Sequence, residues 1–190
     1  MKRKNQIKYF IKEEKEKFFN AVRESGNERD LLIFEYLSFT GVRVSELVNM
    51  TVGQVRNRQI ISWTGKGNKE RIMEVTVPLE ELIKRILSWK EKNGEYTKDG
   101  SSLFCGIYTK EGLSRKDINY LVNKYVKIAG LDRTFSPHSF RHTLGFELGA
   151  ASVPIQVIKE IMGHSSINTT QIYVKASLGQ QKEARALLGY

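Results

Sequence analysis

Gln59-Ile60-Ile61-Ser62-Trp63-Thr64-Gly65-Lys66-Gly67-Asn68-Lys69-Glu70-Arg71-Ile72-Met73-Glu74-Val75-Thr76-Val77 places two β-branched and apolar runs, 59–64 and 71–77, around a basic, glycine-bearing centre. Such runs on either side of a short polar connection read as an antiparallel hairpin with a cationic tip. Pro78 lacks a backbone donor and is expected to end the second strand.

The sequence on both sides reads as helix. Downstream, 79–92 carries Leu79, Leu82, Ile83, Ile86, Leu87 and Trp89 at helical spacing. Upstream, 11–24 sets Phe18, Phe19 and Val22 among Lys and Glu and stops near Gly26, while 29–39 is nearly continuously apolar and so more deeply buried. Thr40-Gly41 breaks that second helix, and Val42-Arg43-Val44-Ser45-Glu46-Leu47 starts another, which puts Arg43 at a helix junction. Further helices are expected at 114–129, 137–150, 154–162 and 177–188, with a polar loop at 93–102. The expected fold is mainly α with a small antiparallel β-sheet, an α+β arrangement in one domain.

A chain of 190 residues can bury a real core and fits one domain better than two. With 40% apolar and 27% charged residues it is an ordinary globular composition. Lys and Arg number 31 against 21 Asp and Glu, a net charge of +10, so the surface field attracts polyanions, of which nucleic acid is the commonest. The excess is local: residues 1–17 hold seven Lys or Arg against three Glu, and 56–71 hold five against one. The single cysteine, Cys105, excludes an internal disulfide and fits a reducing, cytoplasmic setting. No apolar run approaches the ~18 residues of a membrane span.

The chemistry concentrates in His138-Ser139-Phe140-Arg141-His142, Gly163-His164-Ser165 and Thr169-Thr170-Gln171-Ile172-Tyr173. Phosphoryl transfer needs an attacking group, cations for the non-bridging oxygens and an acid for the leaving oxygen, and all three types occur here. Arg43 and Lys66 can complete the set from upstream. His138 and Arg141, three apart, share one helical face and can reach one phosphate. His142 reads as a buried structural histidine. The 138/142 spacing also resembles half of a zinc site, but Ser139 stands where the protease pattern needs glutamate and Cys105 is unaccompanied, so no metal is expected. Gly65-Lys66-Gly67 lacks the phosphate-binding Gly-x-x-x-x-Gly-Lys-Ser/Thr pattern.

Taken together, Thr40 to Leu47, Gly65 to Arg71, Pro137 to Thr143 and Met162 to Tyr173 resemble, in order and spacing, the catalytic domain of tyrosine recombinases, the phage-integrase and Xer group. The resemblance implies that Tyr173 attacks a DNA phosphodiester to give a 3′-phosphotyrosyl link and that Arg43 and Arg141 bind the non-bridging oxygens. It further implies that His138 is general base and acid, that Lys66 protonates the 5′ oxygen and that His164 contacts the phosphate or positions its neighbours. Neither ATP nor metal is implied, double-stranded DNA is the partner, and a homo-tetramer assembles on it. Residues 1–190 are expected to be a single catalytic domain, without the core-binding domain that full-length members usually carry. Leu144 to Ala151 is richer in glycine than the family's usual helix at this place. The amphipathic tail, 177–190, is expected to dock either on its own core or on a neighbouring protomer. A type IB topoisomerase and a non-catalytic DNA-binding regulator are the alternatives; the complete set of Arg43, Lys66, His138, Arg141, His164 and Tyr173 disfavours the regulator.

Overall fold

The computed structural model describes residues 7–64 and 70–163 together with Thr170, Gln171 and Tyr173. The hairpin tip with Lys66, the segment with His164 and the expected helix at 177–188 lie outside the described residues. Within them the order is α1 (Lys12–Glu24), α2 (Glu28–Thr40), α3 (Val44–Val48), α4 (Val52–Val55), β1 (Ile60–Thr64), β2 (Glu70–Glu74), α5 (Val77–Lys92), α6 (Arg115–Ile128), α7 (Pro137–Ala150) and α8 (Ile155–Met162). None of these helices is long and apolar enough to cross a membrane.

Helix α2 is the centre. Its Leu32, Ile33, Phe34, Tyr36 and Leu37 are all fully buried, because α1, α5 and α7 each pack against it. The Asn27 side chain caps it by accepting the Asp30 N–H at 3.0 Å, and Gly41 ends it in the left-handed region at φ 58°. One aromatic cluster ties three helices together: Phe18 of α1 lies 4.9 Å from Phe34 of α2 and 5.3 Å from Phe140 of α7, and Phe34 stacks on Phe140 at 5.4 Å between centroids. Phe140 thereby fixes the rotation of α7, whose first position is the proline expected there.

The two strands pair antiparallel with Ile61 opposite Met73 and Trp63 opposite Arg71. The second strand is shorter than the sequence suggests. It stops at Glu74, and Pro78 falls inside the first turn of α5, where a missing N–H costs nothing. The 93–102 region is likewise more than a polar loop. The carbonyls of Ser101 and Asp99 accept the Val52 and Gly53 N–H groups at 2.9 Å, which closes the start of α4, an element too short to show periodicity.

Beneath that loop Lys90 and Glu95 form an ion pair of 2.7 Å, with both side chains fully buried, and Glu95 Oε1 has no hydrogen-bond partner among the described residues. Removing one member of such a pair leaves a stranded buried charge, whereas replacing both with apolar groups does not. Glu95→Ala should therefore lower the unfolding free energy by about 3–5 kcal/mol, and Lys90→Met combined with Glu95→Leu should return it to within about 1 kcal/mol of the parent. Denaturant titration measures this; equal losses in the two chains would contradict it.

Candidate active site

The loop after α2, the start of α3 and the first half of α7 converge. Arg43 is the residue before α3, with its side chain about a quarter exposed. Its Nη1 donates to Glu46 Oε1 at 2.8 Å and its Nη2 to the Gly163 carbonyl at 3.1 Å, while its backbone N–H donates to Glu46 Oε2 at 2.8 Å. Arg141, one residue after the anchored Phe140, is 4% exposed and donates from Nη1 to the Gly41 carbonyl at 2.6 Å. Its Nη2 is buried and has no hydrogen-bond partner among the described residues. A buried donor of this kind is costly unless an acceptor arrives.

Burial, then repulsion from Arg43 and Arg71, pushes the Arg141 guanidinium down to about 9, so it stays cationic at neutral pH. His138 is also held below its ordinary value, first by burial and then by Arg141 and Arg43, with Glu46 opposing. It is therefore neutral near pH 7. His138, Arg141 and Arg43 thus share one electrostatic neighbourhood, as their spacing suggests.

Tyr173 lies along the same helix. Its ring covers Gly145, where a Cβ would stand 2.5 Å from Tyr173 Cζ, and its carbonyl covers Gly149, where a Cβ would stand 2.7 Å from the oxygen. The glycines that make this helix unusual are thus a track, four residues apart on one face, that only a missing Cβ leaves open to the tyrosine. The hydroxyl reaches His142 Nδ1 at 2.9 Å. Tyr173 is fully buried, and burial raises it to about 12, with Arg141 opposing. His142 is pushed down to about 4 by burial, then by His138 and Arg141, so a neutral imidazole meets a protonated phenol.

His142, expected as a structural histidine, is thus also the hydrogen-bond partner of the Tyr173 hydroxyl. Its partner is 31 residues away, a separation at which a single sequence carries no local signal. Two other groups were not read from the sequence. Glu46 is 5% exposed and accepts from both Arg43 and Arg71, each at 2.8 Å. Burial works to raise its carboxyl, but the Arg43 N–H, the Arg71 charge and the Arg43 side chain hold it below the usual carboxylate range. Arg71 could have been found from the hairpin's alternation, because it opposes Trp63, a buried residue on the core-facing side. Of the six site residues expected from the sequence, the structure brings Arg43, His138, Arg141 and Tyr173 to one place; Lys66 and His164 lie outside the described residues.

A tyrosine recombinase of Agathobacter rectalis is 36% identical over 157 residues, covering 82% of this chain and 50% of that protein. The chain spans about half the length of the curated relatives it matches first. Among solved structures, the XerA recombinase superposes with a TM-score of 0.75 at 28% identity, covering 93% of this chain and 64% of that one. XerH, solved on its palindromic difH substrate after cleavage, gives 0.78 at 23% identity, covering 98% and 55%, and so speaks for the fold. The profile of the phage integrase family matches residues 8–179, nearly the whole length over which α7, its cationic face and the tyrosine beside it are assembled, and the chain belongs to that family.

Proposed function

We propose that this chain cuts and rejoins DNA strands at specific sites through a 3′-phosphotyrosyl intermediate. The observation that carries the reading is Arg141 Nη2, a buried guanidinium donor with no hydrogen-bond partner among the described residues, on the helix whose glycine track the Tyr173 ring covers. A scissile phosphate is an anion with two non-bridging oxygens, and Arg43 and Arg141 are the cations that take up its charge in the transition state. The Tyr173 Oη–P bond forms as the P–O5′ bond breaks. The phenolic proton passes to a neutral base, the role assigned to His138, and the 5′ oxygen takes a proton from Lys66. His164 contacts the phosphate or its neighbours. No step draws on a metal or a nucleotide cofactor, because the bond energy is kept in the protein link.

The partner is double-stranded DNA, which the +10 charge favours; XerH, of the same fold, is bound to its palindromic difH substrate. Exchange between two duplexes breaks four strands, and each chain brings one Tyr173, so the reacting assembly is a homo-tetramer on DNA. Residues 1–190 act as one catalytic domain, and the single, buried Cys105 suits the cytoplasm.

Because the target sequence is open, the substrate of choice is a pool of nicked duplexes with randomised arms, in which cleavage releases a short fragment and traps the covalent adduct. Tyr173→Phe should abolish the adduct and leave DNA retention on a filter intact; a persisting adduct would remove Tyr173 from the reaction. Arg43→Ala and Arg141→Ala should each slow adduct formation by at least ~10²-fold at saturating DNA. A chelator should leave the wild-type rate unchanged, and retention should weaken steeply with salt; loss on chelation with recovery on a divalent ion would contradict the mechanism.

The pH dependence follows from His138. Since burial and two arginines disfavour its cation, its base form persists below the ordinary 6.5, and the adduct rate should fall only as pH drops through a midpoint under 6.5. Removing a positive neighbour makes protonation easier, so Arg43→Ala should move that midpoint upward. A wild-type midpoint at or above 6.5, or a downward move in the variant, excludes His138 as the base.

A further inference from the structure

Two arginines share one buried carboxylate at the end of α8, in a nearly symmetrical arrangement. Arg43 Nη1 and Arg71 Nη1 donate to the two oxygens of Glu46, each at 2.8 Å. Their second nitrogens donate to the last turn of α8: Arg43 Nη2 to the Gly163 carbonyl at 3.1 Å, and Arg71 Nη2 to the Ile161 carbonyl at 2.9 Å. Those carbonyls are among the acceptors that a helix leaves unmet at its C-terminus, where the helix dipole is negative. Four charge-assisted hydrogen bonds therefore fasten α3 and β2 to one turn.

Arg71 is built into this position from every side. Its guanidinium lies 5.0 Å from the centroid of the Trp63 ring, its cross-strand partner. A Cβ at position 163 would overlap that guanidinium, standing 2.7 Å from Cζ, and Gly163 also has a φ of 55°. The side chain is only 10% exposed. A solvated hairpin arginine needs none of this, and burying one is costly unless its donors are matched.

We propose that Arg71 is a positioning residue for strand cleavage, holding Glu46 and the Gly163 turn so that the Arg43 guanidinium is fixed before DNA arrives. This rests on the recombinase reading for its kinetic consequence, though not for the clamp itself. Without Arg71, one oxygen of Glu46 keeps only the Arg43 backbone N–H among the described residues, and of the two guanidinium contacts to the α8 turn only that of Arg43 is left. Arg43 then has alternative arrangements to choose from, and transition-state stabilisation by a loosely held donor is weaker. Lysine cannot replace Arg71, because a single ammonium does not present the two-pronged geometry that spans Glu46 and Ile161.

The test is a double-mutant cycle on single-turnover adduct formation with the randomised nicked pool, joined to a measurement on DNA-free protein. Arg71→Ala should slow the reaction by at least ~10-fold in the parent and by less than ~3-fold in an Arg43→Ala background, with Arg71→Lys falling near Arg71→Ala. In side-chain nitrogen NMR, the Arg43 guanidinium should show resolved, slowly rotating Nη groups in the parent and in Arg56→Ala, and should lose them in Arg71→Ala. A full ~10-fold effect in both backgrounds, or an Arg43 spectrum untouched by Arg71→Ala, would overturn the proposal. If the parent forms no adduct and the Arg43 signals still collapse in Arg71→Ala, the clamp stands and the recombinase reading falls.

Discussion

A guanidinium taken out of water needs an acceptor for each of its N–H groups, and the candidate site is arranged around three that are wholly or partly taken out. Arg43 and Arg71 meet the need with Glu46 and two carbonyls from the end of α8. Arg141 meets it only in part, at Nη1, with the Gly41 carbonyl, which is presented because Gly41 ends α2 in the left-handed conformation. The acceptors come from α2, α3 and α8, so satisfying the cations also fixes where those elements stand. The cluster keeps a positive balance, with three arginines against one carboxylate. Burial first, and then that balance, hold His138 below its ordinary value, and Arg141 Nη2, which has no hydrogen-bond partner among the described residues, suits an anion better than a protein carbonyl.

The same helix carries the candidate site on one face and a core contact on another. Phe140 enters the aromatic cluster of α1 and α2, and that contact sets the rotation of α7. His138, His142, Gly145 and Gly149 then follow at spacings of four, three and four, with Arg141 three after His138, a stripe along which Tyr173 lies. Any core change that rotates α7 would move cation, histidine and tyrosine together. Core packing and the geometry of the candidate site are coupled through the rotation of a single helix.

Much of this could be read from the sequence, because the deciding signals are local. The hairpin, the break at Thr40-Gly41 and the amphipathic runs of α1, α5 and α6 are statements about neighbouring residues. The His138 and Arg141 pair is a statement about one helical face. What escaped reading depends on closure of the chain. Arg71 meets Glu46 from 25 positions away, and His142 meets Tyr173 from 31. Helix α4 owes its first hydrogen bonds to carbonyls more than forty residues downstream. The glycines at 145 and 149 stood out as unusual, yet only the tyrosine lying on them gives the reason. The second strand ends early because Pro78 serves a helix start better than a strand end.

The central claim is that Tyr173 is the nucleophile of a site whose cations are set in place before DNA binds. Mass spectrometry of the protein–DNA adduct trapped from the randomised nicked pool, after proteolysis and nuclease digestion, tests it most directly. The expected result is a nucleotide mass on the peptide containing Tyr173, linked through the 3′ phosphate, with a free 5′ hydroxyl on the released fragment. Attachment at any other residue, or through a 5′ phosphate, would contradict the account.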